Sequence, residues 1–298
     1  QSGGSIVKKQ LLWASVLLLS AGLFSACGNG NGTSKQGSSA KKVSHKMVES
    51  KEDTVIKKYL EANEKIKGAK IKEKVTADTN EGSESKNVKM DMDVSYYADP
   101  FGSKADVATT VGSSVQHSTV LSDGKDMYLQ LAIVYARGKT YRRTLHGQIG
   151  YNKFATDAAN TAKKFLKTMK NNGAKVTLKE EGDEYVIKCD ASKTKMSDKF
   201  KTETFRISSP MENTYAEYSK EELSRYKFEK YIYELHIDKK SYQPKSYTAN
   251  VVTVRTGTDG TKRSRAMSFD ATYSAINQTE QIKMPTTYID YDQNHRKS

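Results

Sequence analysis

The chain has 298 residues, with 49 Lys+Arg against 35 Asp+Glu, a formal net charge of +14, two cysteines and five histidines. The basic residues are scattered (Lys57-Lys58, Lys163-Lys164, Lys239-Lys240, Lys262-Arg263), which describes a solvated surface and argues against a nucleic-acid partner. Two cysteines exclude a disulfide framework, and isolated His45, His117, His146, His236 and His295 with no HExxH or paired CxxC exclude the common metal motifs.

In chain order, Lys8 and Lys9 precede an uncharged run from Leu11 to Ala26. That run is shorter than the roughly 20 residues a spanning helix needs. A basic start, a short apolar run and small residues at its end describe a secretory signal over residues 1–26. Leu23-Phe24-Ser25-Ala26-Cys27 resembles the bacterial lipobox, with Phe24 bulkier than the usual aliphatic residue. The resemblance implies that Cys27 carries diacylglycerol and that the membrane is a partner. Two acyl chains, at about 0.8 kcal/mol per buried methylene, suffice for stable attachment. Without Lys8 and Lys9 the balance is 47 basic to 35 acidic residues, or +12.

Residues 27–50 read as the lipidated cysteine and a Gly/Asn/Ser/Lys tether ("GNGNGTSKQGSSAKKVSHK") with an r.m.s. reach of about 25 Å. A domain is expected over 51–290 and a disordered tail over 291–298. Its first helix spans about 52–67: Glu52 and Asp53 lie in the first turn, Gly68 follows, and Val55, Ile56, Tyr59, Leu60 and Ile66 form an apolar face. "KIKEKVTADT" and "NVKMDMDVSYY" read as strands, the second with Met90, Met92, Val94 and Tyr96 opposite Asp91, Asp93, Ser95 and Tyr97. "ADVATTVG", "VQHSTVLS" and "MYLQLAIVY" continue a meander, with an Asp-Gly turn in "SDGK".

A second helix is expected from Tyr151 to Asn172, then a hairpin of "AKVTLKEE" and "EYVIKCDA" across Gly182, with Cys189 as a buried strand thiol. Short helices are expected in 191–225. "YIYELHID" places Tyr231, Tyr233, Leu235 and Ile237 on one face. "SYTANVVTVR" and "SRAMSFDATYSA" form a hairpin through Asp259-Gly260, with Met267, Phe269, Ala271 and Tyr273 aligned. "EQIKMP" reads as a closing edge strand. The fold class is therefore α+β: a long twisted antiparallel sheet with helices covering one face.

The lipobox, the tether, the helix at 51–68, "KMDMDV", "LSDGKDMYLQ", "YELHIDKKSYQPKSYTANV" and "SFDATYSAINQTEQIKMP" together resemble the LolA/LppX-type half-barrel lipoproteins of bacteria over about residues 51–285. The resemblance implies an open half-barrel that holds acyl chains or another apolar ligand on its helix-covered side. It also implies a lipid-anchored location on the outer face of a Gram-positive cell membrane. Met side chains adapt to variable apolar ligands, so Met90, Met92, Tyr231, Tyr233, Leu235, Met267 and Phe269 are the candidate ligand-lining residues. The competing reading makes the same residues a filled core. No GxSxG, phosphate loop or nucleophile–base pair is visible, and Asp91 and Asp93 share a face expected to be wet. The expectation is a non-catalytic protein without cofactor or metal. The alternative is an envelope module that meets anionic wall polymer or a protein through its basic surface.

Overall fold

A computed structural model describes residues 50–81, 84–123, 126–134, 140–148, 170, 173–192, 221 and 224–290. The signal segment, Cys27, the tether, the tail and the expected helix at 151–172, apart from the helical Lys170, lie outside the described residues.

Among the described residues a helix, α1 (Lys51–Asn63), precedes twelve strands. Its start follows from Ser50, whose hydroxyl accepts the Asp53 amide at 3.1 Å. Glu52 and Asp53 complement the positive end of the helix. The helix ends earlier than expected, because Glu64 and Lys65 form a turn and Gly68 opens a strand instead of stopping the helix. Val55 and Tyr59 on α1 are buried against the sheet.

The strands are β1 (Gly68–Glu81), β2 (Glu84–Ala98), β3 (Phe101–Val111), β4 (Ser114–Ser122), β5 (Asp126–Val134), β6 (Thr140–Gln148), β7 (Lys175–Glu181), β8 (Glu184–Asp190), β9 (Tyr226–Asp238), β10 (Pro244–Thr256), β11 (Lys262–Ser274) and β12 (Ile289–Asp290). They form one sheet in the order β12-β6-β5-β4-β3-β2-β1-β11-β10-β9-β8-β7. Two meanders, β1 to β6 and β7 to β11, are joined where β1 pairs antiparallel with β11. All pairings are antiparallel except β12 with β6. This is the open α+β half-barrel, with α1 on one face.

Period-two burial sets that face. Ile71, Val75 and Ala77 on β1 are buried while Lys70, Lys72 and Lys74 are exposed. β2 buries Val88, Met90, Met92, Val94 and Tyr96 and exposes Asp91 and Asp93. The register sets Ile71 against Val94, Val75 against Met90 and Ala77 against Val88, so the apolar sides coincide. We call the covered side the inner face and the charged side the outer face.

One expected strand is absent. "EQIKMP" makes no ladder; residues 275–288 run as a strap across the outer face at one end of the sheet. Asn277 Oδ1 accepts the Lys67 amide at 2.6 Å, and Thr279 Oγ1 donates to the Tyr96 carbonyl at 2.9 Å. Gly68 and Gly102 leave room for it, since a Cβ on Gly68 would strike Thr279 and one on Gly102 would press on Ile282. Tyr288 then meets Tyr128 edge-on, ring centroids 5.3 Å apart. The strap thereby covers Tyr128, which with Leu121 is buried apart from the main core. Ile282 and Met284 mimic strand alternation, yet each packs downward on the strand ends instead of pairing sideways.

Candidate functional site

The strand register brings all seven sequence-chosen residues onto the inner face. One row across the sheet reads Leu235, Tyr247, Ala271, Glu73 and Met92. The next reads Tyr233, Ala249, Phe269, Val75 and Met90, and the third Tyr231, Val251, Met267, Ala77 and Val88. Met90, Met92, Tyr231, Tyr233, Leu235 and Met267 are buried, and Phe269 is half-buried against them. Together with Val55 and Tyr59 of α1, all of them but Met267 belong to one continuous apolar core.

Glu73, which is not among the sequence-chosen residues, interrupts that core. It is 1% exposed and accepts a hydrogen bond from Tyr247 Oη at 2.6 Å. The signal was available: in Ile71-Glu73-Val75-Ala77 the carboxylate sits in apolar register. The Tyr273 phenol has its pKa raised by burial first and then by Tyr59, Tyr96 and Glu73, and burial likewise raises Tyr59, with Tyr96 adding, and Tyr233, with Tyr59 and Tyr273 adding. The hydroxyls of Tyr59 and Tyr273 are buried with no hydrogen-bond partner among the described residues. The inner face is therefore amphiphilic, an apolar field with a polar centre. Tyr247 also neighbours Tyr233 and Tyr273, at 5.9 and 6.3 Å between centroids.

The outer face holds a trough of about 840 Å³. Lys72 and Lys74 of β1, Asp91 and Asp93 of β2, Asp106 of β3 and Asp270 of β11 point into it. His117, Thr119, Gln130 and Thr272 complete its polar rim. Glu73, Met92, Val107 and Leu131 contribute backbone to the floor, since their side chains face the other way. Asp106 is tied to Lys104 Nζ at 2.7 Å and to Thr119 Oγ1 at 2.6 Å. Partial burial pushes its pKa up, but Lys104 and Thr119 outweigh that and hold it low.

Several charges elsewhere are satisfied locally. Glu184 meets Lys245 at 2.6 Å and His236 Nδ1 at 2.8 Å, and both contacts hold its carboxyl below the usual range. Lys170 bridges Glu52 and Asp53 at 2.7 and 2.5 Å, and Lys51 is paired with Glu180. Cys189 is buried on β8, where desolvation pushes its thiol up to about 12, with Glu52 adding to the rise. No group of three or more metal-ligating side chains occurs among the described residues.

A model of the "Family of unknown function (DUF6612)" matches residues 51–293. No curated protein matches the chain. Among solved structures, the crystal structure of a DUF1329 family protein from Desulfovibrio piger ATCC 29098 is similar at 9% identity, covering 77% of this chain and 94% of that one, with a TM-score of 0.25. A likeness of that size carries no argument about what the chain does.

Proposed function

We propose a ligand-binding role for this chain, which belongs to the family of unknown function DUF6612: a membrane-anchored surface lipoprotein that holds a hydrophobic or amphiphilic ligand without catalysis. The observation that carries the reading is the amphiphilic inner face. Methionines from β2 and β11 and tyrosines from β9 share one side of an open sheet. Glu73, the one buried carboxylate among the described residues, lies among them. Adaptable Met and rigid Tyr surfaces suit acyl chains of varied shape. The Glu73–Tyr247 pair supplies the few polar groups that orient a ligand in a mostly apolar site.

The lipobox-like Leu23–Cys27 stretch and the tether support an extracellular position at the membrane. Among the described residues no helix is long and apolar enough to cross a membrane; in this reading the anchor is the lipid on Cys27. The LolA/LppX-type plan fits the same picture. A wall-polymer module acting through surface lysines has less support, because Lys51, Lys170, Lys239 and Lys245 are tied up in ion pairs.

Native mass spectrometry of the intact chain, isolated from a membrane-containing host, tests the proposal. A discrete lipid-sized adduct that is lost on denaturation is expected, and M90A/M267A is expected to reduce it. A clean apo mass together with no uptake of a fluorescent fatty acid would discard the carrier reading. Cys27→Ser is expected to release the protein from the membrane fraction.

A further inference from the structure

The outer trough is independent of the apolar face, and its charges are not paired off as those on β8 to β10 are. On β8 to β10 the outer-face ions meet one another: Lys188 with Glu234 at 3.7 Å, and Lys245 with Glu184 at 2.6 Å. In the trough the register sets Lys72 beside Asp93 and Lys74 beside Asp91 and Asp270. Yet among the described residues Lys72, Lys74, Asp91, Asp93 and Asp270 make no ion pair. Asp93 also lies directly across from Asp106, and like charges placed opposite one another on a sheet are unfavourable.

The two signs are segregated by strand. Lysines occupy β1, and aspartates occupy β2 and β3 on one side and β11 on the other. Strands are spaced about 4.8 Å apart, so the lysine row lies roughly 5–10 Å from the acidic rows. A ligand that satisfied both would carry an ammonium and a carboxylate separated by about that distance. Thr119 on β4, Gln130 on β5 and Thr272 on β11 add neutral donors and acceptors to its lining. Among the described residues no Tyr, Phe or Trp lines the trough, and the His117 imidazole on its rim is its one ring, so it lacks the broad aromatic platform on which a sugar would stack. Its volume falls in the range of small-ligand sites, about 300–1,000 Å³.

We propose that this trough is a binding site for a short zwitterionic peptide, with the ammonium on Asp91, Asp93 and Asp106 and the carboxylate on Lys72 and Lys74. The same charge pattern occurs in zwitterionic lipid headgroups, and the test separates the two sources.

The full chain is titrated calorimetrically at low salt with the peptide Lys-Ala-Glu, with trilysine, with triglutamate and with glycerophosphocholine. Saturable binding of Lys-Ala-Glu, at least about tenfold tighter than each of the other three, is expected. D91N/D93N is expected to weaken Lys-Ala-Glu and trilysine by about tenfold, and K72Q/K74Q to weaken Lys-Ala-Glu and triglutamate similarly. All four side chains are exposed, so both variants are expected to melt like the parent, which separates lost binding from lost fold. Three results overturn the proposal: no saturable heat with Lys-Ala-Glu, binding of Lys-Ala-Glu by either variant as tight as by the parent, or tighter binding of glycerophosphocholine.

Discussion

Tyr247 donates to Glu73 across the β10–β11–β1 seam at 2.6 Å, joining residues 174 positions apart in sequence. The bond ties the two meanders together at their junction, since Tyr247 belongs to the second and Glu73 to the first. A buried carboxyl oxygen that loses its donor bears a desolvation penalty of about 1–3 kcal/mol. Tyr247→Phe is therefore expected to destabilise the protein by about that amount. Glu73→Gln keeps an acceptor for the hydroxyl and is expected to cost less than Glu73→Ala, which also leaves a void. Urea unfolding of the three variants checks the order, and a Y247F midpoint equal to the parent's would show the bond to be dispensable.

Gly68 is a packing glycine, required by the strap and not by a turn. A methyl there would collide with Thr279 and lie 2.6 Å from the Tyr96 carbonyl. Gly68→Ala is expected to cost about 1–3 kcal/mol, the usual range for overpacking. It is also expected to speed amide exchange in 277–288, because the strap must lift. Gly112→Ala, where nothing lies within 4 Å of the added carbon, bears only its left-handed backbone cost. Similar exchange in the strap for both variants would mean that Gly68 does not seat it.

How far the sequence reveals this depends on the range of the interaction. The alternation of Met90, Met92, Val94 and Tyr96 with Asp91, Asp93 and Ser95 is local, and it specifies the two faces of β2 directly. The Asp-Gly turn at 259–260 and Gly182 are equally local, and they place the β10–β11 and β7–β8 hairpins. The seam between β1 and β11 is not local: nothing in "KIKEKVTADT" names "SRAMSFDATYS" as its neighbour. The trough depends on that seam, so Asp91 and Asp93 read as merely solvated until Lys72, Lys74 and Asp270 are brought beside them. The strap fails for the same reason, since Ile282 and Met284 have strand spacing but their seat is defined by Gly68 and Gly102.

Acid sensitivity follows from the carboxylates with lowered pKa. Hydrogen bonds from Lys245 and then His236 depress Glu184, and Lys170 and Ser50 depress Asp53. A depressed folded pKa means that the unfolded chain takes up the proton first. The stability these groups contribute is present above their ordinary values of 4.5 and 3.8 and is lost as pH falls through the lower folded values. Urea midpoints are expected to be flat near neutrality and to drop below about pH 4.5. Glu184→Gln is expected to be less stable than the parent at neutral pH and to show a shallower acid limb. An acid limb unchanged by that substitution would assign the sensitivity to other carboxylates.

Cys189 allows the buried strand to be read chemically. Its thiol is enclosed on β8, and desolvation raises its pKa to about 12. Thiolate is the reactive species, so at pH 8 almost none is present and what exists is covered. With Cys27 replaced by Ser, the folded chain is expected to resist Ellman's reagent. One thiol is expected to appear only as urea unfolds it, along the same curve as the loss of circular dichroism. The agreement of the two curves would show that β8 opens with the whole sheet. Labelling well before the main transition would show that β7 and β8, at the edge of the sheet, detach as a unit of their own.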